Sequence, residues 1–229
     1  MLSKLLDELK SAGDLERAEN FKWFFKTGKG EYGEGDRFLG ITVPRLREIS
    51  KKYQTLDLKD LQELLDSKIH EHRLSALMIL RFKYENNEKK QNIIKFYLKN
   101  TKKINNWDLV DLSCHHILGN WMLDKDRKIL YQLARSKNLW EKRIAIISTF
   151  AFIRENQFSD TIKISEILMN DKHDLIHKAV GWALREIGKK DKKTETDFLK
   201  KRYKIMPRTM LRYAIEKFSD KERKFYLSK

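Results

Sequence analysis

Only 2 prolines and 9 glycines occur in 229 residues, and four of the glycines, Gly28, Gly30, Gly33 and Gly35, fall in one loop. With so few residues that end helices, an almost wholly helical chain is expected. A single cysteine, Cys114, rules out an internal disulfide and fits a reducing, cytoplasmic compartment. No apolar run approaches ~20 residues and no basic-then-apolar leader is visible, so neither membrane spanning nor secretion is expected. Alternating polar and apolar positions, the mark of a half-buried strand, are also missing over any useful length.

Positive charge, by contrast, is abundant. Lys and Arg outnumber Asp and Glu by 49 to 33, a net charge of +16. Such an excess favours polyanions, nucleic acid first and acidic membrane surfaces second, against the plainer reading of a lysine-rich solvated surface. Hydrophobic residues at 41% and aromatics at 11% argue for a packed core rather than disorder, although 36% of the chain is charged.

Leu2, Leu5, Leu6 and Leu9 repeat at helical spacing, and Leu15 to Lys26 forms a second helix carrying Phe21, Trp23, Phe24 and Phe25. After the glycine-rich loop, Pro44 is placed to open a helix. Helices are then expected over 44–53, 58–66, 70–85, 88–99, 105–121, 125–136, 138–155, 159–170, 172–189, 194–203 and 207–218. Three of them begin alike: a small polar turn leads to Arg73, to Arg143 and to Lys178, each followed by an apolar, small-residue helix. Those basic residues are 70 and 35 apart, leaving room for one intervening unit that Trp107 to Asp111 occupies. A period of about 35–40 residues with two helices each matches HEAT-like solenoids, in which equivalent helices line one concave face. Matched basic residues would place a positive stripe there, although a helical chain this basic also yields such matches by coincidence.

Asn105-Asn106-Trp107-Asp108-Leu109-Val110-Asp111 is the stretch where chemistry is most plausible. Trp107 and Asp111 share a helical face, and a carboxylate among apolar neighbours costs free energy unless paired, solvated or useful. The same residues also read as a core aromatic with two helix-start aspartates and an asparagine cap, and on the residues alone the two readings stand level. Arg143 reads as a partner for Asp111 or a phosphate ligand. Lys178, Trp182 and Arg185 fall at i, i+4 and i+7, an aromatic between two cations that suits a sugar–phosphate backbone, or a buried Trp flanked by surface cations.

Other motifs carry less. Gly28, Gly30 and Gly33 spell GxGxxG, but a helix precedes them and no strand–loop–helix unit follows; a cleft-edge loop touching phosphate through backbone N–H groups is the better expectation. His173 and His177 have zincin spacing with Asp174 in place of Glu, and no third ligand can be named. His70 and His72, like His115 and His116, are not expected to share a helical face. No metal site is therefore expected, and Cys114 reads as a small core residue.

Four stretches taken together resemble the AlkD-like family of DNA alkylation repair glycosylases: Phe38-Leu39-Gly40-Ile41-Thr42-Val43-Pro44 with Arg45 and Arg47, Trp107-Asp108-Leu109-Val110-Asp111, Leu139-Trp140-Glu141-Lys142-Arg143-Ile144-Ala145, and His177 through Glu186. They occur in the family's order across nearly the whole chain. The resemblance implies an all-α fold, a curved α-solenoid of HEAT-like repeats with a basic concave face, as one domain over 1–229. It implies hydrolysis of the N-glycosidic bond of cationic N3- and N7-alkyl purines in duplex DNA. A monomer without a cofactor is expected. By the family pattern Asp111 is the catalytic carboxylate, Trp107 and Trp182 the aromatics at the lesion, and Arg143 the basic residue beside them. Arg45, Arg47, Arg73, Lys178 and Arg185 are assigned to DNA binding. The loop from Lys26 to Arg37 departs from the family pattern in its length and glycine content. A non-catalytic HEAT-like module that binds nucleic acid or protein is the alternative.

Overall fold

The computed structural model describes residues 1–86 and 89–228, so the first position of the expected 88–99 helix and the last of the expected 1–229 domain lie outside the described residues. Two compact units divide the chain, Met1–Ser113 and Cys114–Lys229. The first holds α1 (Leu2–Ser11), α2 (Leu15–Phe24), α3 (Val43–Lys52), α4 (Leu58–Asp66), α5 (His70–Glu85), α6 (Lys90–Lys99) and the one-turn α7 (Trp107–Asp111). The second opens on a π-helical turn, His115–Gly119. It continues through α8 (Lys128–Ala134), α9 (Leu139–Ser148), α10 (Phe150–Arg154), α11 (Ser159–Leu168), α12 (Asp174–Lys190), α13 (Lys192–Arg202), α14 (Arg208–Ala214) and α15 (Asp220–Leu227).

The fold is all-α, with solenoid-type stacking of helical repeats in each unit. In the first, α3 and α4 pack on α5; in the second, α8 packs on α9, α9 and α11 on α12, and α12 on α13 and α14. Among the described residues there is no strand, only an isolated bridge between Arg37 and Ile69. No helix among them is long and apolar enough to cross a membrane.

Short polar side chains start several of the helices, each taking up backbone N–H groups that the first turn leaves unpaired. Asp14 accepts from Arg17, Asp57 from Lys59 and Asp60, and Asn138 from Trp140 and Glu141. Ser219 and Glu222 form a reciprocal capping box at α15, a helix the sequence pattern did not single out. The apolar repeats become the cores: Leu46, Ile49, Leu61, Ile79 and Tyr97 are fully buried in the first unit, and Ile144, Phe152, Val180, Leu184 and Leu211 in the second.

Two expected helices are interrupted, each at a hydroxyl residue. Ser113 Oγ donates to the Leu109 carbonyl at 2.6 Å where α7 ends, one turn into the expected 105–121 helix. Thr149 Oγ1 donates to the Ile146 carbonyl at 2.6 Å between α9 and α10, which together fill the expected 138–155 helix. Ser165 and Thr196 make the same kind of bond inside the unbroken α11 and α13, so the bond does not by itself end a helix. Hydrophobic spacing does not register either break.

Candidate functional site

The turn α7 is held by its apolar residues, Leu109 and Val110, both fully buried. Asn106 caps it by accepting the Trp107 N–H at 2.8 Å. Trp107 and Asp111 are half-buried and are the residues of this turn that retain contact with solvent, while Asp108 is buried. A five-residue helix has little stability of its own, so tertiary contacts decide where these two side chains point.

For Trp107 those contacts are aromatic. Its ring stacks on Phe25 at 5.4 Å and meets Phe24 edge-on at 5.7 Å. Phe25 stacks in turn on Phe38 at 5.2 Å, and Phe21 meets both edge-on. The phenylalanines at the end of α2 therefore back the indole rather than forming a separate core. Phe24 is 51% exposed and Trp23 76% exposed, with Lys26 Nζ 5.1 Å from the Trp23 ring centre.

Beneath Trp107 lies a chain of buried charges. His70 Nε2 donates to Asp108 Oδ2 at 2.7 Å, and its Nδ1 lies 3.5 Å from Asp36 Oδ2. Arg73 Nη2 pairs with the same Asp36 oxygen at 2.7 Å, too oblique for an aligned hydrogen bond, while its Nη1 donates to the Ser67 carbonyl at 2.9 Å. Burial alone would lower the His70 pKa, but the charge and hydrogen bond of Asp108 and the contact with Asp36 outweigh it and raise the value to about 9. Burial works against the Asp36 carboxylate too; His70 and Arg73 overcome it and hold its pKa below the usual value.

Arg73 thereby corrects an expectation. It was assigned to DNA binding, yet it is only 4% exposed and its guanidinium is committed to Asp36 and Ser67. Once the guanidinium is out of water, a carboxylate partner is what makes its burial tolerable, since an unpaired buried charge would cost far more. The positive stripe expected through Arg73, Arg143 and Lys178 is missing at two of its three positions: Arg143, like Arg73, is buried, 5% exposed and donating to the Leu175 carbonyl at 2.7 Å, whereas Lys178 stays at the surface, paired with Asp174 at 2.7 Å.

The glycine-rich loop corrects another. Gly28 N–H donates to Glu31 Oε2 and Gly30 N–H to Glu34 Oε2, both at 2.8 Å, so carboxylates of the loop itself occupy the donors expected to meet phosphate. The end of the loop is pinned by Glu71, 1% exposed, whose carboxylate accepts from the N–H groups of Leu39, Gly40 and Ile41. Gly40 has φ of +81°, and a Cβ there would lie 2.1 Å from the Asp14 carbonyl oxygen, so only glycine fits this crossing. Arg45 and Arg47, on α3 just beyond, are exposed, and Arg45 pairs with Glu48 at 3.1 Å.

In the second unit Trp182 is half-buried, meets Phe150 edge-on at 4.6 Å, and donates from Nε1 to Glu186 Oε1 at 3.0 Å. It borders a cavity of about 330 Å³ whose other walls include Phe150, Arg154, Lys189 and Lys190. Arg185 pairs with Glu216 and lies 3.7 Å from Glu186, an ion-paired rather than an open cation.

The histidines have backbone or side-chain partners of their own. His173 Nδ1 accepts the Leu175 N–H and caps α12, while His177 Nε2 donates to the Asp171 carbonyl at 2.5 Å. His72 Nδ1 bonds Ser67 Oγ at 3.0 Å and shares no hydrogen-bond partner with His70. His115 and His116 depart from expectation: their rings lie 3.9 Å apart, because the wider π-helical turn brings successive side chains closer together. Sequence reasoning missed Phe24 and Phe25 as neighbours of Trp107, and Phe38, His70 and Asp36 as the groups linked to it through Phe25 and Asp108. The cluster of phenylalanines before the loop signalled the first two; no local pattern signalled Asp36 or His70.

The family model described as DNA alkylation repair enzyme matches residues 5–218. No curated protein matches the chain. Among solved structures, a predicted DNA alkylation repair enzyme from Enterococcus faecalis is similar in fold, with a TM-score of 0.73 at 17% identity, over 91% of this chain and 97% of that one.

Proposed function

The chain belongs to the family of DNA alkylation repair enzymes, and from that premise we propose that it is a monofunctional alkylpurine DNA glycosylase. The observation that carries the reading is α7: a single turn, otherwise buried, that leaves an indole and a carboxylate half-exposed on one side, with the indole backed by phenylalanines.

The chemistry explains why so few groups suffice. A purine alkylated at N3 or N7 already carries positive charge and departs without a general acid. The sugar then develops oxocarbenium character, and Asp111 stabilises that cation and orients the attacking water. A carboxylate ~4 Å from a unit positive charge gains roughly 4 kcal/mol at an effective dielectric near 20. Only the part gained in the transition state accelerates the reaction, which corresponds to about a hundredfold to a thousandfold in rate.

In this proposal Trp107 lies flat against the deoxyribose and excludes bulk water. Trp182 is the second aromatic at the lesion and Arg143 the basic residue there, both by the family pattern. Arg45, Arg47, Lys178 and Arg185 contact phosphates, all but Arg47 by exchanging their present carboxylate partners, and duplex affinity falls steeply with salt. Arg73 has no part in DNA contact.

Release of 7-methylguanine from methylated duplex DNA tests the reading, with Asp111→Asn alongside the wild type. The variant is expected to lose about a hundredfold or more in single-turnover rate while retaining duplex affinity. Undiminished release by the variant removes Asp111 from the mechanism. No release by the wild type, with tight duplex binding, identifies a non-catalytic binding module instead.

A further inference from the structure

Four ionisable side chains are buried in one line in the first unit, and the proposed reaction uses none of them. Asp108, His70, Asp36 and Arg73 have side-chain exposures of 3 to 6% and follow one another at 2.7, 3.5 and 2.7 Å. Burying charges in this way is costly, and well-packed apolar residues of similar volume would often be at least as stable. Stability alone therefore does not account for the arrangement.

Its position relative to Trp107 does. Asp108 is the next residue on the one-turn helix, and its carboxylate is tied to His70 Nε2. The His70 ring also lies against Phe25 at 4.9 Å and Phe38 at 5.0 Å, and Phe25 is the ring on which Trp107 stacks. Two independent connections thus run from one imidazole to one indole, a hydrogen bond through the backbone of α7 and a ring stack through Phe25. The far side of the imidazole faces Asp36, itself held by Arg73. Counting charges gives the same answer: two carboxylates and one guanidinium sum to zero only when the imidazole is protonated.

We propose that His70 is a positioning residue, which through Asp108 and Phe25 fixes the orientation of Trp107 and of the helical turn that carries Asp111. The inference rests on the reading of those two residues as the reacting site. Asp36 and Arg73 fix the other edge of the imidazole. Loss of His70 leaves α7 free to rotate within its apolar seat. Misplacement of catalytic groups by about 1 Å is enough to cost roughly a hundredfold in rate.

The experiment uses the full chain, labelled with 5-fluorotryptophan, with the Trp107 resonance assigned by Trp107→Phe. His70→Phe keeps a ring between Phe25 and Phe38 but loses the bond to Asp108; His70→Gln keeps an amide donor for Asp108. In His70→Phe the Trp107 resonance is expected to shift or broaden and the single-turnover rate to fall roughly 10- to 100-fold, with duplex affinity within about threefold of wild type. His70→Gln recovers part of both. If His70→Phe does not fold, Asp108→Asn, which keeps the shape of the side chain, is read in the same two ways. An unmoved Trp107 resonance overturns the proposal, as does a normal rate per folded molecule in an active enzyme. If the wild type releases no base, the fluorine signal still decides: a displaced Trp107 upholds the positioning role while the glycosylase reading falls.

Discussion

In the first unit Asp36, His70, Arg73 and Asp108 are buried, and each lies within ion-pair distance of another. In the second, Glu195 is 2% exposed and one of its carboxylate oxygens has no hydrogen-bond partner among the described residues. Its side chain sits in a notch at Gly188, where a Cβ would come within 1.7 Å of Glu195 Oε2. Burial raises its pKa to about 8, against the opposing charges of Lys192 and Arg185. The line from Asp108 to Arg73 buries charge by pairing it; at Glu195, burial instead keeps a carboxylic acid neutral below about pH 8. Pairing holds groups in a defined geometry, which suits a support beneath Trp107. A lone acid specifies little and makes its neighbourhood sensitive to pH.

The largest expected effect that would break this contrast is on the paired side. Arg73→Met leaves Asp36 with a single cationic neighbour, and removal of one partner from a buried pair costs about 3–5 kcal/mol, measurable by urea unfolding. A loss below ~1 kcal/mol would mean that the pairing contributes little.

A second effect separates the two kinds of burial by pH. The His70 pKa is raised to about 9, so its contribution is complete below the unfolded value near 6.5 and is lost as pH rises through about 9. The Glu195 pKa is also raised, so its contribution is complete below about 4.3 and is lost as pH rises through about 8. Both therefore favour acid, over different windows. Glu195→Gln is expected to raise Tm by roughly 2–4 °C above pH 8 and to flatten the profile between about pH 5 and 8, leaving the alkaline decline from His70 in place. Thermal unfolding across pH 5 to 10 checks it; an unchanged profile would show that Glu195 is charged in the fold.

The smallest effect concerns an exposed pair. Lys178→Ala removes a surface i,i+4 pair with Asp174 and is expected to cost only about 0.3–0.5 kcal/mol. If Lys178 contacts a phosphate, the same substitution reduces the slope of log affinity against log salt by about 0.9, read from duplex binding at several salt concentrations.

Much of the helical framework was legible from hydrophobic spacing, as α3, α4, α5 and α12 show, with Pro44 marking the start of α3. The breaks at Ser113 and Thr149 were not, since either hydroxyl would be unremarkable on a helix face. Asp111 and Trp107 stood out because a carboxylate and an indole share one face of an apolar turn. Arg73 misled because a basic residue at a repeated position looks like a surface cation. Its partner Asp36 lies in a loop far upstream, and no local pattern announces the pairing.

The sequence by itself determined the all-helical class, the excess of positive charge and the indole–carboxylate turn, because those follow from composition and spacing along one helix. Tertiary structure alone decided which cations face inward, what backs Trp107, and that the glycine-rich loop occupies its own N–H groups with Glu31 and Glu34. Ion pairs and ring stacks act over a few ångströms in space, whatever the distance along the chain.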